Sequence, residues 1–286
     1  MATPRCFVVS CAIASMAIHH AVFETTARAQ TAAVTFDAGA EGWVGPSGSG
    51  GATTIPTTGG NPGANMRTIF NDFGITFSNS ANAAFTGDYT TAASVKISID
   101  IRVENLSFTG TQVSRPFLVE LRDTTNPPAG YPWKSVWFLF GSVSLANSSA
   151  WRHFSVTFDP NSTTLPAGWG GYGAENAAGA PQLPAGVTFR DVLKGIDSMA
   201  FTTLQPGYFF GFTDHTMRID NVSVTRVLPV IPADLNGDGA VNALDLAVLL
   251  SSWGACPPKG ACAADLDGNG AIDARDLAAL LSNWTV

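Results

Sequence analysis

A duplicated stretch late in the chain constrains its fold more than any other feature. Residues 234–253 recur 31 positions later as residues 265–284, identical at 13 of 20 positions. A repeat of fixed period is one structural unit used twice. Oxygen-bearing side chains stand at positions 1, 3, 5, 9 and 12 of each copy. They are Asp234, Asn236, Asp238, Asn242 and Asp245 in the first, and Asp265, Asp267, Asn269, Asp273 and Asp276 in the second. Position 6 is Gly239 or Gly270, which permits the sharp turn that brings the chain back on itself. This is calcium-loop spacing, since calcium takes roughly 6–8 oxygens and a twelve-residue loop wraps it. Position 7 gives only a carbonyl, so Ala240 and Ala271 serve there. Val241 and Ile272 at position 8 face a core. Position 12 is Asp where an ordinary EF-hand has Glu, and the shorter side chain must come closer to the ion. The second loop carries four carboxylates against three in the first, which predicts that it fills first.

Each loop runs into an apolar stripe at helical spacing: Leu246, Leu249, Leu250 and Trp253, then Leu277, Leu280, Leu281 and Trp284. No such pattern precedes either loop. Before Asp234 stands Leu228-Pro229-Val230-Ile231-Pro232-Ala233, and its prolines argue against an entering helix. Each unit is therefore half of an EF-hand. Paired half EF-hands with Asp at position 12 resemble the dockerin type I module, over residues 234–284. That resemblance implies two calcium ions and a docking role toward a cohesin-like extracellular protein partner. In the family, positions 10 and 11 commonly carry a Ser-Thr type pair that touches the partner. Here they are Ala243-Leu244 and Ala274-Arg275, a departure at the docking surface that leaves the calcium spacing intact.

Residues 1–29 carry a secretory-signal pattern. Arg5 leads an apolar run from Cys6 to Ile18, and Ala27-Arg28-Ala29 offers a small-x-small cleavage site. The run is too short for a membrane span, so the chain is expected to be secreted. Cys256 and Cys262 then remain, both between the repeats. An even pair in an exported chain favours a disulfide, here a local clip because its loop is short. Zinc is disfavoured, since no histidine stands nearby. From Asp234 onward there are seven acids and two bases, in a chain of formal net charge −7. The rest is nearly neutral, which excludes the basic surface that nucleic-acid binding needs.

Residues 30–228 read as an antiparallel β-sandwich, with 229–233 as a linker and 234–286 as the calcium module. Strand-like runs occupy 34–36, 75–78, 94–103, 117–122, 135–140, 151–158, 198–203 and 216–227, separated by Gly, Pro and Asn turns. Val95, Ile97, Ile99, Ile101 and Val103 alternate with Lys96, Ser98, Asp100 and Arg102, the mark of a half-buried strand. One short helical turn is expected at 189–193. Phe36-Asp37, Glu41-Gly42-Trp43 and Met217-Arg218-Ile219-Asp220-Asn221-Val222 resemble the end strands of jelly-roll carbohydrate-binding modules of the galactose-binding-like type. That resemblance implies a structural calcium, for which Asp37, Glu41 and Asp220 are candidate ligands; plain surface carboxylates are the equal alternative. Sugar rings stack on exposed aromatic faces, and two Gly/Pro loops offer Tyr131, Trp133, Trp169 and Tyr172. Capping the sandwich core is the commoner fate of any one such ring. Trp43, Trp137 and Trp151 lie in strand patterns and are assigned to the core.

No catalytic motif is found. Gly168-Trp-Gly170-Gly-Tyr-Gly173 matches the dinucleotide pattern only in letters, because no strand–turn–helix surrounds it. Glu104, Glu120, Asp123, Glu175 and Asp214 are the carboxylates from which a hydrolytic pair would have to come. The sequence thus points to a non-catalytic secreted protein that docks through calcium and binds polysaccharide. A dockerin-borne glycoside hydrolase or polysaccharide lyase, and a structural surface module without ligand, are the alternatives.

Overall fold

The computed structural model describes residues 28–258 and 262–285. The signal-peptide reading falls outside them, apart from Arg28 and Ala29. The chain divides into two compact units, with the boundary between Pro229 and Val230.

The first unit is two antiparallel sheets face to face. In the first sheet the path runs β10 (Arg152–Phe158), β6 (Ser94–Phe108), β15 (Thr213–Val227), β4 (Met66–Asp72) and β3 (Gly51–Thr54). Two further strands join it: β1 (Ala29–Val34) pairs with β15, and β7 (Thr111–Gln112) pairs with β6. The second sheet runs β11 (Trp169–Tyr172), β9 (Lys134–Val143), β8 (Arg115–Asp123), β14 (Ser198–Thr202), β5 (Thr76–Asn79) and β2 (Trp43–Val44). Small additions are helices α1 (Leu145–Ser148) and α2 (Phe189–Leu193) and the hairpin of β12 (Ala174–Glu175) with β13 (Pro181–Gln182).

Alternation decides which side chains meet between the sheets. Val95, Ile97, Ile99, Ile101 and Val103 of β6 face Phe117, Val119 and Leu121 of β8 and Phe201 of β14 in one continuous core. Phe201 stacks against Phe117 and Phe140, at interplanar angles of 18° and 15°. The strand β15 has a different neighbour along each half of one edge. Thr213–Ile219 pair with β4, and Val222–Val227 pair with β1. Its register against β6 shifts between Asp220 and Ser223, a bulge at which Asn221 takes φ 50°. On the far side of the first sheet Glu104 is clamped between Arg67 and Arg218, with nitrogen–oxygen distances of 2.8 and 2.6 Å. Burial pushes its carboxyl up, but the two guanidinium groups outweigh that and hold it below the ordinary range.

Two assignments are corrected. Trp137 and Trp151 are not among the buried core side chains, whereas Trp43 is. Trp137 lies on the outer face of the second sheet, because Val136 and Phe138 on either side of it turn inward. The strands β3, β4 and β11 lie where the sequence reading placed none.

The second unit holds helices α3 (Ala243–Ser251) and α4 (Ala274–Ser282) and the two-stranded pairing of β16 (Gly254–Ala255) with β17 (Ala271–Ile272). Its core is Ala233, Leu235, Val241, Leu249, Ala264, Ile272 and Leu280. Ile231 packs against this core. The stripe expected on each helix divides: Leu249 and Leu280 are fully buried, whereas Leu250, Trp253, Leu281 and Trp284 are exposed. Cys256 and Cys262 form the disulfide. Among the described residues no helix is long and apolar enough to cross a membrane.

Candidate functional site

Each calcium-type loop gathers three carboxylates. Ligand oxygens of Asp234, Asp238 and Asp245 all lie within 4.8 Å of one another, as do those of Asp265, Asp267 and Asp276. Local backbone chemistry produces this. Gly239 and Gly270 take φ 92° and 91°, a region open to glycine. The N–H groups of Gly237 and Gly239 then turn inward and donate to the two Asp234 oxygens, at 2.9 and 2.8 Å. Asn269 and Gly270 do the same to Asp265, at 3.1 and 2.8 Å.

The position-12 carboxylates close the loops. Asp245 accepts from the N–H groups of Leu235 and Asn242 (2.8 and 2.9 Å), and Asp276 from those of Leu266 and Asp273 (2.6 and 2.8 Å). Both side chains are fully buried. Each loop therefore holds a buried negative charge inside an all-oxygen cluster, a donor set that fits a hard divalent cation and not a soft one. The Cys256 and Cys262 sulfurs lie near Asp265 but are bonded to each other and are no longer thiolates.

The position-9 residues do a different job. Asn242 caps α3 by accepting from Leu244 N–H at 2.8 Å, and Asp273 caps α4 by accepting from Arg275 N–H at 2.7 Å. The fourth carboxylate counted for the second loop is thus at a helix cap, outside the three-carboxylate group. Asn236 and Asn269 each bridge to the next acidic side chain, Asp238 or Asp267, at 2.9 Å.

The sandwich candidates fare unevenly. Asp37, Glu41 and Asp220 form no such group among the described residues. Glu41 is exposed and uses its carbonyl, which accepts from the Asn79 amide at 3.1 Å. Asp220 is fully buried at the β15 bulge, opposite Asp100 of β6. Burial pushes its carboxyl up, and N–H donors from Asn61 and Asn221 oppose that shift. Asp37 accepts from Ala64 N–H at 2.8 Å, and the Asn61 amide donates to Asp100 at 3.0 Å.

On the outer face of the second sheet three of the four aromatic candidates meet. Tyr131 and Tyr172 rings are 5.3 Å apart, edge to face, and Trp133 lies 6.1 Å from Tyr172. The Arg122 guanidinium stacks 4.2 Å over Trp133. Glu120 ties the group together. It accepts from Trp133 Nε1 (2.9 Å), Ser135 Oγ (2.6 Å) and Arg122 Nη2 (2.6 Å). Burial raises the Tyr172 phenol, and the Glu120 charge adds to that. Trp137 continues the surface, lying over Gly170 so closely that a Cβ there would enter the indole. Trp169 is corrected: it is 8% exposed and packs inside against Phe158 and Phe189, at 4.8 and 4.9 Å. Its neighbours alternate, so one side chain in two of β11 turns inward.

A second aromatic group was missed. Tyr208, Phe209 and Phe212 are 65%, 80% and 55% exposed, and Phe73 packs 4.9 Å from Phe209 and 4.2 Å from Phe212. Four aromatics within Tyr208-Phe209-Phe210-Gly-Phe212 were the available signal.

The carboxylates named as a hydrolytic pool are mostly engaged. Glu104 and Glu120 are held by arginines, Asp123 by Lys134 at 2.6 Å, and Asp214 by the Asn71 amide at 2.6 Å. Glu175 is exposed on the β12–β13 hairpin.

Among solved structures, the chain is similar to a family 11 carbohydrate-binding module from Clostridium thermocellum in complex with a β-1,3-1,4-mixed-linked tetrasaccharide. Identity is 17%, the TM-score is 0.41, and the match covers 69% of this chain and 96% of that one. A family 22 carbohydrate-binding module of a Clostridium thermocellum protein matches at 10% identity and TM-score 0.36, over 70% and 95% of the two chains. No curated protein matches. Residues 232–283, which hold both loops and both helices, match the dockerin type I domain, a calcium-binding family, and the dockerin resemblance of the repeats stands on that match.

Proposed function

We propose that the protein is a non-catalytic attachment factor, exported, with a calcium-ordered docking module and a polysaccharide-binding sandwich. The observation that carries this reading is the twofold convergence of three carboxylates in loops of one repeat. Asp234, Asp238 and Asp245 hold one calcium, and Asp265, Asp267 and Asp276 hold the other. Asn236 and Asn269, with the carbonyls of Ala240 and Ala271, complete the oxygen sets. Asn242 and Asp273 reach the ions through water, as position 9 often does. Two ions are proposed; the sandwich offers no comparable convergence for a third.

The docking face is the exposed side of the two helices with the tryptophan just beyond each. Leu250 with Trp253, and Leu281 with Trp284, stand in equivalent places 31 residues apart. Leu244, also exposed, replaces a hydroxyl side chain of the family pattern. The contact with a cohesin-type partner is therefore more apolar here than a Ser-Thr pair would make it. Polysaccharide binds at Tyr131, Trp133 and Tyr172, where rings and the Arg122–Glu120 pair give an apolar floor with a polar rim.

Purified cohesin modules titrated against the full chain, with calcium and with EDTA, test the docking half. Binding that survives EDTA, or no binding to any cohesin with calcium present, overturns it. Affinity electrophoresis in gels of mixed-linkage glucan, xylan and neutral controls tests the sugar half, and equal mobility in every gel overturns that.

A further inference from the structure

The two repeats hold each other shut through their backbones. Val241, at position 8 of the first loop, donates its N–H to Thr285 Oγ1 and accepts from Thr285 N–H, both at 2.9 Å. Ile272, at position 8 of the second loop, pairs with Gly254, and Ala271 pairs with Ala255. Thr285 and Gly254 are themselves equivalent, each directly after the tryptophan that follows its own repeat's helix. Each loop is thus buttressed by the tail of the other repeat.

The start of each loop is matched too. Asp234 N–H donates to the Ile231 carbonyl at 2.9 Å, and Asp265 N–H to the Cys262 carbonyl at 3.0 Å. Here the symmetry breaks. Where the first loop has Ile231, the second has Cys262, bonded to Cys256. Cys256 is the next residue along from the buttressing pair, and its N–H donates to the Gly270 carbonyl at 3.0 Å. Its sulfur lies 3.5 Å from an Asp265 carboxylate oxygen. The disulfide therefore ties the buttress beside Ala271 to the segment that positions Asp265. Both of those residues are proposed ligands of the second ion.

We propose that the Cys256–Cys262 disulfide is a positioning device for the second calcium site, and that breaking it weakens that site while sparing the first. This rests on the reading that both loops bind calcium. Without the bond, the second loop must be ordered at the moment the ion arrives, and that ordering reduces affinity. The first loop, with only hydrogen bonds at both supports, already binds under that condition.

The test is a calcium titration of the full isotope-labelled chain, followed by NMR at the Gly239 and Gly270 amides, one reporter in each loop. It compares the oxidised protein, the same protein in a phosphine reductant, and the Cys256→Ser/Cys262→Ser variant. The expected result is a Gly270 midpoint roughly tenfold higher when the bond is gone, the scale of loss seen for groups that orient metal ligands. The Gly239 midpoint stays within about twofold. An unmoved Gly270 midpoint overturns the inference alone, as does an equal shift at both glycines, which marks general loosening. No calcium response at either glycine in the oxidised chain overturns the calcium reading and this inference with it. The reduced wild type decides the matter if the double variant does not fold.

Discussion

The two units reach a folded state by different means. The sandwich gathers 35 buried apolar side chains into one core among its described residues; Glu104, Glu120 and Asp123 are held by Arg or Lys, and Asp220 is buried at the β15 bulge. The C-terminal unit gathers seven, together with two fully buried aspartates, Asp245 and Asp276, that accept from backbone N–H groups. A core that small is marginal. A buried carboxylate opposes folding unless something compensates it. Backbone N–H groups do part of this; in the proposed reading a divalent cation supplies the rest. In that reading apolar area holds one unit, and a ligand not encoded in the chain completes the other.

The sharpest way to break that contrast is to remove calcium. With EDTA most of the helical circular dichroism of α3 and α4 should be lost, because ion binding and folding are coupled in such modules. The thermal transition of the sandwich should stay in place. Helices that persist in EDTA would make the units alike.

The converse test attacks the core. Phe201→Ala removes a ring packed against both Phe117 and Phe140 and should destabilise the sandwich by about 3–5 kcal/mol. Calcium uptake by the C-terminal unit should be unchanged. Urea unfolding of the variant and a parallel calcium titration separate the two effects.

A third prediction concerns acid. His215 is buried in the sandwich, and burial pushes its imidazole down to about 4, with the positive charge of Arg115 adding and Asp214 opposing. The ordinary value is near 6.5. The folded state therefore prefers the neutral ring. Its contribution is intact above about pH 6.5 and falls as pH drops toward 4, a loss of about 3 kcal/mol. His215→Leu should flatten that part of the pH dependence in urea unfolding between pH 7 and 4. An identical slope in the variant would refute the assignment.

The smallest effect expected is at the sugar surface. Trp133→Ala removes one ring and the seat of the Arg122 guanidinium and should weaken polysaccharide binding about tenfold. Phe209→Ala should leave it unchanged if the second aromatic group is separate. A reversed order would move the binding surface to residues 204–212.

What the sequence revealed follows the same division. The convergence of Asp234, Asp238 and Asp245, and of Asp265, Asp267 and Asp276, was legible because each set lies within twelve residues, so spacing alone brings the oxygens together. The β6 alternation and the turn at Phe189–Leu193 were legible for the same local reason. The strand β11 was not, because Gly170 and Gly171 look like loop residues until Trp137 is seen lying across the first. The strand β4 was hidden by Arg67 and Asn71, whose partners Glu104 and Asp214 are 37 and 143 residues away. The helix stripes misled in part. Period shows that four residues share a side, and it takes the packing of Leu249 and Leu280 to show that only part of that side is covered.

The strand β15 closes the sandwich beside β1, so Val227 of the last strand lies opposite Ala29 of the first. The polypeptide thus joins and leaves this unit at neighbouring points on one sheet. Tyr172 belongs to the opposite sheet, where Tyr131 and Trp133 pack beside it. In the proposed reading the sugar surface and the strand by which the chain leaves this unit therefore belong to different sheets.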